Sequence, residues 1–437
     1  MGTYTDEEKT ITKYGETQID SDTAEDTYSE PALEYPEGGR VGWLVVFGSF
    51  CTLVSVHGVI NSASVFESYF KENQLKEYSP SDIGWIFSSY TFVVYFLGIQ
   101  AGPIFDRHGH RVLLLAGSTL MVIGPFILSV CTEYYQFFLA YSVLMGIGGA
   151  MINTPAFATI GHFFNRRRGL ATGFAAMGGS VGGTIFPFLF QATFPRLGFP
   201  WSMRILGFIM LALAVPSNLL LRTRLPPATK MASVWPDLTV FRDPKLALCC
   251  AGIFLMEYGV LVPLAYIVLY ATDHGQDAGA SYLLPALLNA ASIVGRAVPG
   301  VMADRLGRFN MIIMTVGLCT ASVFAFWLPA GNSNTMLIVF SLLLGFASGG
   351  NVSLIPVCIG QLCDSRNYGR FLSSANMVAS FGLLTGIPIG GALLRVGDKE
   401  TGWRALILFS ALSYAVSTGC YIGARVLAVG WKAKTKY

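Results

Sequence analysis

Long apolar runs recur along most of this chain, and they leave few folds open to it. They lie near 41–62, 83–104, 112–131, 136–158, 169–193 and 202–221, and again near 247–271, 280–302, 310–329, 335–362, 371–394 and 403–428. A helix needs about 20 such residues to cross a hydrocarbon core. Hydrophobic residues make up 53% of the 437 positions and charged residues only 13%, about half the charged share of a soluble protein. A water-soluble core cannot hide that much apolar surface, whereas lipid can. The expected fold class is therefore all-α integral membrane, with twelve transmembrane helices.

The remaining composition fits that reading. The 48 glycines and 20 prolines mostly punctuate the apolar runs, where small residues allow close helix packing and neighbours repair broken backbone bonds. A net charge of +3 argues against a nucleic-acid partner. The eight cysteines fall mostly inside apolar runs without ligand spacing and read as small core residues. No two of the five histidines are spaced as metal ligands, so neither metal nor cofactor is expected. Residues 1–40 are acidic and polar, with no cleavable signal peptide, and predict a solvated, disordered tail.

Basic residues give the orientation. With a cytoplasmic N-terminus, Arg107 and Arg111, Arg166 to Arg168, the cluster Arg222, Arg224, Lys230, Arg242 and Lys245, Arg305 and Arg308, Arg366 and Arg370, and the Lys-rich tail all lie inside. The loops Thr132–Glu133, Thr272–Gly279 and Pro329–Asn334 are bare. Both termini are then cytoplasmic. The expected organisation is a tail (1–40), a six-helix bundle (41–222), a connector (223–246), a second six-helix bundle (247–428) and a tail (429–437).

The two halves repeat. Gly102-Pro-Ile-Phe-Asp106-Arg107-His-Gly109-His-Arg111 follows the second apolar run, and Gly300-Val-Met-Ala-Asp304-Arg305-Leu-Gly307-Arg308 follows the eighth. Ile160-Gly161-His162 after the fourth run recurs as Ile359-Gly360-Gln361 after the tenth. Two matched halves with a solute site between them near midplane are a known transporter arrangement.

Arg296 is the sharpest clue to that site, because a permanent charge costs roughly 2.5–3.5 kcal/mol at a membrane helix centre. It either snorkels to the nearby face or binds an anion in a central cavity. Glu257, deeper in the seventh run, is either a structural acid or a partner for Arg296 and a proton-coupling group. His57 titrates near neutral pH when unperturbed, or serves only in packing. Asn61, Asn153, Asn289 and Asn351 are polar groups that either line a cavity or bond between helices. Gly102, Asp106, Arg107, Arg111, Gly300, Asp304, Arg305 and Arg308 are expected to gate the cytoplasmic side through pairing that makes and breaks. Gly178-Gly179-Ser180-Val181-Gly182 fits a hydrolase pattern but lies in an apolar helix, where it reads as close packing.

On the paired Gly-x-x-x-Asp-Arg-x-Gly loops, the chain resembles the major facilitator superfamily across residues 40–430. Within it, Pro36-Glu37-Gly38-Gly39-Arg40-Val-Gly-Trp43 and His162-Phe163-Phe164-Asn165-Arg166-Arg167-Arg168-Gly169-Leu170-Ala171-Thr172-Gly173 look like the monocarboxylate-porter family, particularly its fungal branch. The resemblance implies a major facilitator fold and transport by alternating access. Members that move lactate-like acids with a proton use a helix 1 lysine, where this chain has Asn61. They also use an aspartate one turn before the helix 8 arginine, replaced here by Ser292. The expected substrate is a small organic acid or a polar or anionic metabolite, with the plasma membrane as location and proton coupling left open. Export of a fungal secondary metabolite is the alternative, and a transporter-like nutrient receptor is the alternative of another class. No acid, base and nucleophile converge, so no enzyme is expected.

Overall fold

The computed structural model describes residues 35–224 and 238–431. Most of the acidic tail, the middle of the connector with Lys230, and the last six residues lie outside the described residues. Among those described there is no strand.

The helices are α1 (Gly39–Asn61), α2 (Asp82–His108), α3 (Arg111–Leu128), α4 (Tyr134–His162), α5 and α6 within Arg168–Leu220, α7 (Pro244–Asp273), α8 (Ala278–Leu306), α9 (Arg308–Trp327), α10 (Asn334–Leu362), α11 (Tyr368–Leu393) and α12 (Lys399–Val429). A short helix, Ala63–Glu72, follows α1 and was not anticipated. The 53 residues of Arg168–Leu220 would reach about 80 Å if straight, far beyond one crossing. Gly198, at φ 72°, breaks them. The arm before it runs parallel to α1, with Gly182 and Phe186 beside Gly58. The arm after it returns, so that Leu221 packs beside Gly48 and the Ser217 hydroxyl reaches the Gly48 carbonyl. These are α5 and α6, and they bring the crossings to twelve.

Local chemistry sets several helix ends. Ser79 and Asp82 form a reciprocal capping box ahead of α2, which satisfies otherwise orphaned N–H groups. Asp243 caps α7 and Ser333 caps α10 through their side-chain oxygens. Gly109 (φ 77°) and Gly307 (φ 100°) end α2 and α8, in backbone conformations that glycine adopts without strain. They are the last glycines of the two repeated loops, so that part of the motif makes the turn into the next helix.

The second half repeats the packing of the first. Gly382, Gly386 and Gly390 of α11 lie against successive turns of α7, as α5 lies along α1. The hydroxyls of Ser410 and Ser417 in α12 reach the carbonyls of Gly259 and Gly252 in α7, as Ser217 in α6 reaches Gly48. In both places small residues bring backbones close where lipid supplies no hydrophobic drive for association.

Candidate functional site

Polar side chains meet between the halves at the level where α1, α2 and α5 face α8. Arg296 on α8 is only 7% exposed, and its Nη1 donates to the Ala176 carbonyl of α5 at 2.6 Å. Its Nε is buried without a partner. Because α8 continues to Leu306, Arg296 sits ten residues, about 15 Å, inside the helix end. The side chain reaches across to the opposite half instead of snorkelling along its own helix.

His57 of α1 lies beside it, with Nε2 3.2 Å from the Tyr95 hydroxyl of α2 and Nδ1 buried without a partner. Gly179 makes the space for both. A Cβ there would come within 2.5 Å of Arg296 Nη1 and 2.7 Å of His57 Cβ. Asn61 Nδ2 donates to the Gly179 carbonyl at 3.1 Å, and the Ser180 and Ser292 hydroxyls bridge α5 and α8 at 3.3 Å. The apparent hydrolase pattern is therefore a packing surface whose glycines admit α1 and Arg296.

Glu257 is half-buried on α7. The Tyr95 hydroxyl lies within electrostatic reach of both Glu257 and Arg296. The two are not joined as an ion pair; the pairs described are His274–Glu400 and Lys399–Asp273. Tyr95 is tied to the cluster by its bond to His57. Sequence reasoning missed it, because a tyrosine in an aromatic-rich membrane helix carries no distinctive signal. Asn153 and Asn351 are buried, each with its Oδ1 unpartnered, and Asn351 Nδ2 faces Cys319 Sγ at 3.6 Å. Neither they nor the half-buried Asn289 makes a described contact with the cluster. Among the described residues no group of three or more His, Cys, Asp or Glu is arranged to hold a metal.

From this cluster towards the Asp-Arg loops, the halves close on each other through a pseudo-symmetric pair of contacts. Asp106, at the end of α2, accepts from the backbone N–H groups of Gly369 and Arg370 at 3.0 and 2.8 Å. Asp304, at the end of α8, accepts from those of Gly169 and Leu170 at 2.8 Å each. Each carboxylate caps the first turn of a helix in the opposite half, where unsatisfied N–H groups and the helix dipole favour an anion. The expectation had been side-chain pairing; the structure puts the carboxylates on backbone. The first glycine of each loop is needed for the approach. A Cβ on Gly102 would collide with the Gly369 carbonyl, and one on Gly300 would come within 2.5 Å of the Gly169 carbonyl.

Arg168 and Tyr368, which precede Gly169 and Gly369, stack on each other, the guanidinium carbon 4.1 Å from the ring centre. Arg168 is 2% exposed and donates to the Gly360 carbonyl. The slot that holds it is bounded by Gly161 and Gly360, the glycines of the Ile-Gly repeat. That repeat marks the place where one buried arginine crosses between the halves.

Glu37 completes this face. Its carboxylate accepts from the N–H groups of Asn165, Arg166 and Arg167 at 2.7 to 3.0 Å, so the stretch leading into α1 docks on the stretch leading into α5. Arg308 donates to the Asn165 carbonyl. Tyr35 bonds Ser365 across the halves at 2.9 Å. Arg107 and Arg305 are exposed, and Arg111 lies against α6, away from the contacts between halves.

The fold and site define a membrane carrier of two six-helix bundles around a central polar cluster. The Major Facilitator Superfamily profile matches residues 44–335, and the chain belongs to that superfamily. A profile described as Sugar (and other) transporter also matches residues 264–421. The riboflavin transporter MCH5 of Saccharomyces cerevisiae is 37% identical over 435 residues, covering 94% of this chain and 83% of that protein. The fujikurins efflux protein of Gibberella fujikuroi is 37% identical, covering 90% and 84%. The aspyridones efflux protein apdF of Emericella nidulans is 35% identical, covering 93% and 81%. Among solved structures, a bacterial homologue of the iron transporter ferroportin in an outward-facing state superposes with a TM-score of 0.71 at 14% identity, over 89% of this chain and 100% of that one. The transporter FucP in the outward conformation superposes with a TM-score of 0.67 at 15% identity, over 87% and 98%. At those identities the likeness shows the fold alone.

Proposed function

We propose that this chain moves a small organic acid or another polar or anionic metabolite by alternating access, with Arg296 as the group that recognises it. One observation carries the reading. A guanidinium held deep between the halves has a carbonyl for a partner and no carboxylate, so its charge is left for a solute to neutralise. Glu257 is the internal competitor for that charge, relayed through Tyr95, and His57 and Asn61 shape the same space. Asn153, Asn289 and Asn351 are weaker candidates for its lining.

The carboxylate caps at Gly369–Arg370 and Gly169–Leu170 act as the gate of the Asp-Arg side, which the excess of basic residues assigns to the cytoplasm. The monocarboxylate-porter-like segments support the acid reading. The replacements at Asn61 and Ser292 argue against proton–lactate symport. Efflux is the second reading, favoured by relatives whose names describe export of fujikurins and aspyridones. We place the protein in the plasma membrane with both termini cytoplasmic.

Flux of candidate acids in vesicles reconstituted with the purified protein tests the central claim. Removing one member of a buried charge pair costs about 2–5 kcal/mol, so Arg296→Ala should lower flux about 30-fold or more, and Arg296→Lys should recover part of it. Transport at the normal rate by a well-folded Arg296→Ala protein would refute the assignment. Flux that ignores pH between about 5 and 8 would exclude coupling through a group titrating there.

A further inference from the structure

A second polar space lies outside the central cluster, on the lipid-facing flank of the first half. It is a cavity of about 690 Å³ between the α2–α3 turn and the end of α6, lined by His108, His110, Arg111, Asn218, Arg222 and Thr223 among others. Two guanidiniums and two imidazoles face it, and among the described residues no carboxylate does. Arg111 and Arg222 are exposed, and neither makes an ion pair among the described residues.

The start of α3 forms one wall. Its N-terminal residue position, His110, supplies no side-chain cap, and the first backbone bond runs from Leu114 N–H to the His110 carbonyl. The N–H groups of Arg111, Val112 and Leu113 therefore have no acceptor within the helix, and they add to the positive character of this end. His110 is buried and held by Thr223, with Nδ1 3.3 Å from its hydroxyl. Burial first, and then the neighbouring Arg111, keep its imidazole below the ordinary range. It gives the cavity a wall more than a charge.

The adjoining surface says what kind of anion fits. Val112 and Leu115 on α3 and Leu219 on α6 are each 65% exposed, and they continue from the cavity towards the middle of the membrane. A basic recess joined to an exposed apolar strip at a helix end matches an amphipathic anion, its head in the recess and its chains along the strip. We propose that this cavity binds the phosphate-bearing headgroup of an anionic phospholipid from the leaflet on the Asp-Arg side, with its acyl chains lying over Val112, Leu115 and Leu219. A soluble phosphate would use the same guanidiniums but would gain nothing from the apolar strip.

The test is retention of lipid by the purified full-length protein, followed by native mass spectrometry in mixed micelles of phosphatidylserine and phosphatidylcholine. The protein should hold phosphatidylserine in preference, and Arg111→Ala/Arg222→Ala should weaken that preference about tenfold or more. Arg111→Lys/Arg222→Lys should keep most of it. Arg196→Ala/Arg204→Ala, which removes the same charge at the α5–α6 turn, should leave it intact. Should the double alanine variant fail to fold, Arg222→Glu, at an exposed position beyond the end of α6, gives the same reading with one change. Equal retention of the two lipids, or an unchanged preference in either variant, would overturn the proposal. So would competition by inorganic phosphate as strong as that by phosphatidylserine, which would make the ligand a soluble anion.

Discussion

The two carboxylate caps are built from the same motif and sit at equivalent places, yet their surroundings differ. Asp106 is buried, 6% exposed, and accepts two backbone bonds from the start of α11, where the Ser373 hydroxyl also reaches the Ile99 carbonyl of α2. Asp304 is half-buried and shares the start of α5 with helpers. Glu37 caps the three N–H groups just ahead of it, Arg308 holds the Asn165 carbonyl, and Arg168 anchors the same turn onto α10. The repeated motif sets the geometry of both contacts, and Glu37, Arg308 and Arg168 support one of them further. A fully buried carboxylate that loses its charge gives up more than a half-buried one whose helix start is also held by Glu37.

Four substitutions test that contrast. The largest effect is expected from Gly102→Ala, because its Cβ would collide with the backbone carbonyl of Gly369 as well as with the Ser373 hydroxyl. It should open the Asp-Arg side almost fully, read as alkylation of a cysteine introduced beside the gate. Next comes Asp106→Asn, which replaces a buried carboxylate accepting two N–H bonds. A loss of about 2–3 kcal/mol corresponds to a shift of about 30- to 150-fold towards the open state, measurable as spin-label distances between α2 and α11.

Asp304→Asn should shift the same equilibrium about tenfold, or about 1.4 kcal/mol, because Arg308 and Glu37 remain. If it matches or exceeds Asp106→Asn, the asymmetry argued here is wrong. The smallest change is expected from Glu37→Gln, the loss of a helix-end cap worth about 1 kcal/mol. It should show as a small drop in thermal stability, and as a larger one when combined with Asp304→Asn. Strict additivity in that pair would mean that the two carboxylates do not share the α5 terminus.

The sequence displayed parts of these contacts without their meaning. Gly102, Asp106, Gly300 and Asp304 stood out by repetition, but their acceptor-to-donor partners are backbone N–H groups, which no side-chain pattern announces. Glu37 lay within a stretch noted only for resemblance, some 130 positions from the turn it caps. Tyr95 was invisible among the aromatic residues of α2. Arg111 stood in the repeated loop and was grouped with the gate, while the fold turns it towards α6 and the lipid-facing cavity.

What the sequence determined by itself was the number of crossings and the matched halves. These follow from the length and spacing of apolar runs, because lipid allows little else than complete helices. Arg296, by contrast, lies four residues deeper than the apolar run ending near 302 implies, because its helix continues to Leu306. Helix ends were placed within a few residues, and the reversal at Gly198 was already implied by the gap between two apolar runs. Only the tertiary structure decided which groups meet: Arg296 with a carbonyl of α5, Tyr95 with His57, Arg168 in a slot made by two distant glycines. Such meetings depend on where rigid helices cross, and that is set by close packing summed over both halves, not by any local run of residues.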